Sequence, residues 1–302
     1  PPAVCRTPAP RPPPPPGGGG APPPGGGHGP HDGDGLHDLA VTGTARRTWG
    51  RALDIIGPIV VIAAVIGAWQ AATSSGLIKT FVLPAPSSIV RAVLDQPGLY
   101  WRHTVRTTEE AMAAFVAGSF AAVVIAVAFV HSRFIERSVY PLTLAAQAIP
   151  VVALAPMLSI WLGPGMAPKI LVAGFLVFFP TLVNMQRGLR AVDPEIAELM
   201  RSYNASWWRI LVKVRLPASL PFLFVALKIG AGGCFLGALT AEWIGSDRGL
   251  GYLVTIFGSQ FQIPQLWGAA IIASILAVSA FGLVGLLERL ALPWRRGRST
   301  GS

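Results

Sequence analysis

The sequence predicts an all-α protein built from six transmembrane helices. Three observations predict it. About half of the 302 residues are hydrophobic (52%), only 13% are charged, and mean hydropathy is +0.55; soluble domains carry about 25% charged residues. Six apolar runs are each long enough to cross a hydrocarbon core, which takes roughly 20 residues of helix. The cationic residues gather in alternate connecting segments, the pattern of a chain that threads a membrane repeatedly.

The predicted spans cover 54–73, 108–130, 139–162, 167–186, 219–243 and 266–288. The third contains Pro141, Pro150 and Pro156, so a kink or break is expected there. Between the first two spans, residues 81–104 carry Ser87 and Ser88 ahead of a short apolar-periodic run. This predicts an N-capped interfacial helix, with Tyr100 and Trp101 as interface anchors. Between the last two spans, the Gly-rich stretch 244–265 predicts a short re-entrant or surface helix.

With the N-terminus inside, seventeen of the 24 Lys and Arg residues fall in inside segments and six in outside segments, and Lys228 lies within the fifth span. The positive-inside rule therefore places both termini, and the segment 187–221, in the cytoplasm. The domain reading is a disordered Pro/Gly-rich cytoplasmic tail over 1–50, a six-helix membrane domain over 51–292, and a basic cytoplasmic tail over 293–302. Residues 1–35 are nearly all Pro, Gly and Ala and have no means of burying a core. They contain no apolar stretch of the signal-peptide kind. They also lack an initiator Met, so the segment reads as a dispensable extension or a mis-assigned gene start.

The net charge of +10 raises nucleic-acid binding, but the cations are interleaved with apolar runs rather than clustered, so no nucleic-acid partner is expected. Cys5 and Cys234 lie in a low-complexity tail and an apolar run, so neither a disulfide nor a thiolate metal site is expected. There is no G-x-x-x-x-G-K-[ST] loop, no H-E-x-x-H and no G-x-S-x-G. The histidines are His28, His31 and His37 in the tail, and His103 and His131 near span ends, which gives no metal constellation.

Ionisable residues inside spans are the default functional candidates. Lys228 has two readings: it faces the bundle interior in a pathway or packing role, or it snorkels to the interface. Glu242 has two as well, an interfacial carboxylate paired with Arg248 or part of an outer gate. Pro150 joins these two as a candidate pathway or gate residue. Glu109 and Glu110 read as favourable charge at the N-terminus of the second span.

The segment 187–221 is the most informative. It sits between two apolar runs, yet Ile196, Leu199, Met200, Tyr203, Trp207, Ile210, Leu211 and Val214 repeat at helical spacing. A plain connector needs no such stripe. The alternatives are a docking face for a partner protein and an amphipathic helix lying on the inner leaflet.

The same segment resembles the signature of permease subunits of ATP-binding-cassette importers: Glu-Ala-Ala, three residues, Gly, nine residues, Ile, one residue, Leu-Pro. Here it reads Glu198-Leu199-Met200, then Asn204, then Val214, Arg215 and Leu216-Pro217. The alanines and the glycine are replaced, and Asn is the residue after Gly that best tolerates the left-handed turn. Three further stretches, 83–94, 148–170 and 241–254, resemble sulfonate, taurine and nitrate importer permeases.

The resemblance covers roughly 50–295. It implies the type I importer permease fold, and a subunit that is no enzyme and moves a small organic anion across the bacterial cytoplasmic membrane. It implies a second permease copy, cytoplasmic ATPase subunits and an extracytoplasmic substrate-binding protein as partners, besides the lipid bilayer. No cofactor is expected on this chain, with ATP and Mg held by the ATPase. The implied docking residues are Glu198, Leu199, Met200, Tyr203, Asn204, Ala205, Trp207, Leu216 and Pro217. A secondary transporter or channel independent of an ATPase is the rival reading, and would want a charged relay at the midplane.

Overall fold

The computed structural model describes residues 41–76, 78, 79 and 81–293, with side chains from Ile56 onward. Two compact units divide after Val61. The first contributes the start of α1 (Val41–Ser74), and the second carries everything that follows. In order these are α2 (Pro86–Asp95), α3 (Pro97–His131), α4 (Arg133–Ala146), α5 (Val151–Leu162), α6 (Ala167–Arg190), α7 (Pro194–Ser202) and α8 (Trp207–Ile210). A π turn (Leu211–Arg215) then leads directly into α9 (Leu216–Gly245), followed by α10 (Leu250–Ser259) and α11 (Ile263–Ala291).

The protein is all-α over the described residues. Five helices are long and apolar enough to cross a membrane. The pair α4 and α5, bent by 102° at a four-residue break, makes up to a sixth span. That break falls at the predicted prolines: Pro150 is the N-cap of α5, while Pro141 and Pro156 are accommodated inside helices. The Gly-rich stretch forms the expected short helix, α10.

α6 is the central helix, with 56% of its apolar window buried against 11% for α11. It packs most extensively on α9 and α3. Small residues make this possible. Ala111 and Ala114 of α3, Ala173 and Val177 of α6, and Cys234 and Ala238 of α9 form one buried cluster. In lipid there is no apolar-transfer gain from joining two apolar helices, so close van der Waals approach has to supply the association. Toward the α3 C-terminus larger side chains take over: Phe129, Leu182, Met185 and Leu189. Outward-facing Ile275, Val278 and Phe281 of α11 are exposed, as a lipid-facing surface requires.

Several expectations are corrected. Ser87 and Ser88 do not cap α2. Ala85 is the N-cap, Pro86 occupies the first turn, and Ser87 is tied instead to Gln70 of α1 through its backbone N–H at 3.1 Å. A proline there needs no acceptor, which makes a serine cap unnecessary. Tyr100 is a core residue, 2% exposed, donating its hydroxyl to the Gln265 carbonyl at 2.9 Å; of the predicted anchors only Trp101 is exposed. Glu109 and Glu110 do not open a helix, because α3 starts at Pro97. Residues 41–50, expected in the tail, are helical, in line with the loss of proline beyond Pro30. The tails at 1–40 and 294–302 lie outside the described residues.

Gly118 of α3 lies directly against the α6 backbone: a Cβ placed there would lie 2.7 Å from the Gly174 carbonyl oxygen. The obstruction is backbone, so helix separation is the only relief. Gly118→Val is expected to cost roughly 1–3 kcal/mol, read as a fall in the thermal unfolding midpoint of the detergent-solubilised protein. An unchanged midpoint would contradict this packing.

Candidate functional site

The segment 187–221 is not one amphipathic helix. Asp193 accepts from the Glu195 N–H at 3.0 Å and starts α7, with Pro194 in its first turn. α7 stops at Asn204, whose φ of 54° is left-handed. There Asn204 N–H donates to Arg201 O at 2.9 Å and Ala205 N–H to Met200 O at 3.0 Å. This is the paired bonding of a Schellman stop, so asparagine performs the turn that the importer signature gives to glycine. Ser206 then caps α8. The π turn that follows adds one residue per ring, a feature often found at working parts of helices.

The break splits the predicted stripe in two. Ile196, Leu199 and Tyr203 are exposed, Tyr203 at 79%, and so are Glu198 and Trp208. Ile210 and Leu211 are buried in the bundle instead. Trp207 packs edge-on against His131, with ring centroids 4.4 Å apart, and Leu216 rests on the core beside it. Of the residues expected to dock, Glu198, Leu199, Tyr203, Asn204 and Pro217 are exposed, Met200 and Ala205 are half-buried, and Trp207 and Leu216 belong to the bundle. The physical reason is the left-handed turn, which resets the helical phase between α7 and α8.

The opposite end of the bundle holds a buried polar cluster that sequence reasoning did not assemble. The first N–H groups of α10 are each taken by a side chain from another helix. His103 Nδ1 accepts from Gly249 N–H at 2.9 Å, Thr107 Oγ1 from Leu250 N–H at 2.8 Å, and Glu242 Oε2 from Gly251 N–H at 2.7 Å. Thr107 donates in turn to Glu242 Oε1 at 2.7 Å. Beside them Glu110, fully buried, meets Arg106 Nε at 3.0 Å and accepts from Lys169 Nζ at 3.1 Å, and Lys169 also donates to Ser246 at 2.6 Å. A carboxylate at a helix N-terminus satisfies both the free donors and the dipole. Glu242 is therefore a structural cap at 1% exposure and is not paired with Arg248, whose ion-pair contact is Asp247.

Lys228 is half-buried and pairs with Glu288 near the C-terminus of α11. It lies 14 residues before Glu242 on α9, about 21 Å along the axis, and Pro150 marks the α4–α5 bend. The three candidate pathway residues thus fall at separate places. The missed cluster had one legible signal, the i, i+4 pair Arg106 and Glu110 at the polar start of the second predicted span. An open cavity of about 880 Å³ adjoins the cluster, lined by Arg102, Arg106 and Arg248, by Glu109 and Asp247, and by aromatic and apolar side chains. No group of three metal-ligating side chains occurs among the described residues.

Close-packed spanning helices, interrupted by the short helix α7 with its outer face uncovered, define a polytopic membrane protein. Residues 114–292 match the binding-protein-dependent transport system inner membrane component family, and the chain belongs to it. It is 32% identical over 228 residues to the riboflavin transport system permease protein RibX of Chloroflexus aurantiacus, covering 75% of this chain and 85% of that protein. It is 30% identical to the formylaminopyrimidine transport permease protein ThiX of Halalkalibacterium halodurans (72% and 88%). It is 29% identical to the putative aliphatic sulfonates transport permease protein SsuC of Bacillus subtilis (83% and 90%).

The chain is thus the permease subunit of an ABC importer, a polytopic inner-membrane protein whose family implies an ATPase and a substrate-binding protein as partners. Family membership sets aside the ATPase-independent rival.

The capping cluster makes a specific demand on Gly249, which has φ 106° and whose Cβ would fall 2.1 Å from the Glu242 carboxyl carbon. Gly249→Ala is expected to destabilise by at least about 2 kcal/mol, and Glu242→Ala by about 1–3 kcal/mol through unpaired donors. The double variant should lose less than the sum by about 1 kcal/mol, measured by thermal unfolding. Strict additivity would rule out the contact.

Proposed function

We propose that α7 and the turn after it dock the permease onto a cytoplasmic ATPase subunit, and that two copies of the chain form the translocation unit. The observation that carries this is the exposed face of α7, with Glu198, Ile196, Leu199 and Tyr203 held out from the bundle between its two most extensively packed helices. Apolar side chains that the bundle leaves uncovered gain by burial in a partner groove. Glu198 offers a charged acceptor for a basic or backbone donor there. Both termini are cytoplasmic in this reading, because Arg133, Arg137, Arg187, Arg190, Arg201 and Arg209 all belong to the α7 end.

ATP and Mg belong to the ATPase. Closure of its dimer moves α7 and α8, and the spans pass between inward- and outward-open states because the docked contact differs between them. No bond of the substrate is broken. The cargo in this reading is a small organic anion of the sulfonate or taurine kind. The arginines around the 880 Å³ cavity support it, as does the likeness to permeases named for sulfonates and taurine. A charged sulfonate crossing that end meets Arg102, which has no carboxylate partner among the described residues, beside Arg106 and Arg248 with their acid partners and aromatic surfaces suited to its apolar part.

Two outcomes follow. Glu198→Arg is expected to abolish co-purification with the ATPase and reduce uptake to background, with the variant still folded in the membrane; intact assembly and uptake would refute docking. Calorimetry on the partner binding protein is expected to give tighter binding of short aliphatic sulfonates than of uncharged analogues of equal size, and the reverse order would refute the anion assignment.

A further inference from the structure

A second cavity, about 700 Å³ and open to one side, lies at the root of the coupling segment. Arg133, Arg137, Arg190, Arg215, Glu136 and Tyr140 line it. Glu136 is the single acid in this wall and is already taken, by Arg190 and by Gln186, whose amide donates to it at 2.8 Å. Arg133, Arg137 and Arg215 have no carboxylate partner among the described residues. Three guanidinium groups around one opening repel one another, and an anion seated among them removes that cost while accepting forked hydrogen bonds.

The surroundings indicate what kind of anion. α4, which supplies Arg133, Arg137 and Tyr140, has no buried residue at all. Its apolar side chains point outward beside the arginines: Phe134 is 80% exposed and Leu142 67%. A helix with cations on one side and uncovered apolar residues on the other is built for the headgroup boundary of a bilayer, where a basic pocket between spanning helices meets phosphate. We propose that this pocket binds the phosphodiester of an anionic phospholipid, with its acyl chains along Phe134 and Leu142. The inference rests on the reading that the α7 end faces the cytoplasmic leaflet.

The site would also act on coupling. Arg190 is the last residue of α6, just before α7, and Arg215 closes the π turn just after α8. A headgroup held by Arg215 together with Arg133 and Arg137 ties the end of the docking element to α4, beside the Arg190–Glu136 pair at its other root.

The test uses the intact transporter in nanodiscs of phosphatidylcholine with added phosphatidylglycerol, with retained lipids identified by native mass spectrometry. Selective retention of phosphatidylglycerol is expected. That selectivity should fall about fivefold for each arginine removed in Arg133→Gln, Arg137→Gln and Arg215→Gln. Equal retention of the two lipids by the unaltered protein overturns the proposal without reference to any variant, as does unchanged selectivity in the triple variant. Displacement of the lipid by inorganic phosphate would make this a site for free anions and overturn the lipid assignment. Cross-links from these arginines to ATPase carboxylates in place of lipid would overturn it too. A Glu198→Arg protein that loses the ATPase but keeps its lipid selectivity would leave this site standing, separating it from the docking reading.

Discussion

The N-terminus of α10 is the constraint around which the bundle is arranged. A short helix placed at the end of a membrane bundle exposes backbone donors that lipid has no means of satisfying. The chain meets them with His103, Thr107 and Glu242, drawn from two other helices. Fixing those three side chains fixes the relative height of α3 and α9, and Lys169 with Glu110 fixes α6 beside them. The small-residue contacts lower down then have one register in which to close. A buried ionic cluster adds little net stability on its own, and its effect here is to select that register.

At the other end the logic reverses. α7 and its turn are secured by local devices, namely the Asp193 cap, Pro194 and the Schellman stop at Asn204, and by little tertiary burial beyond Ala197. Local bonding lets the element keep its shape while its outer face stays uncovered. Belonging to the binding-protein-dependent importer family gives that face a reason: a permease needs one part that is shaped in advance yet free to be covered by another subunit.

The sequence announced some features and concealed others, for physical reasons. Apolar length and proline placement depend only on local chemistry, so the spans and a break among the prolines of the third span could be read directly, while the left-handed turn at Asn204 came from the resemblance to the importer signature. The fate of Trp207, Ile210 and Leu211 could not, because one left-handed residue rotates everything after it and a periodic pattern carries no memory of that rotation. Tyr100 looked like an interface anchor as an aromatic beside Trp101 just ahead of a span, and only the path of α11 turns it inward to Gln265. Thr107, which holds the Glu242 cap and itself caps Leu250, stands more than a hundred positions from both, a distance at which spacing carries no signal.

The π turn at Leu211–Arg215 has a mechanical consequence. From Trp207 to Gly245 the chain is a single 39-residue helical run, loosened near its start by the wider ring and, six residues beyond that ring, by Pro221 inside α9. Beyond it α9 is a strut of 30 residues, about 45 Å long, with Glu242 near its far end. A strut carries thrust along its length and yields at its softest section. A load applied at α8 is therefore taken up as bending in the stretch from the π ring to Pro221 and delivered as axial displacement at the α10 cap, so the two ends of the permease share one member with its compliance at the α7 end.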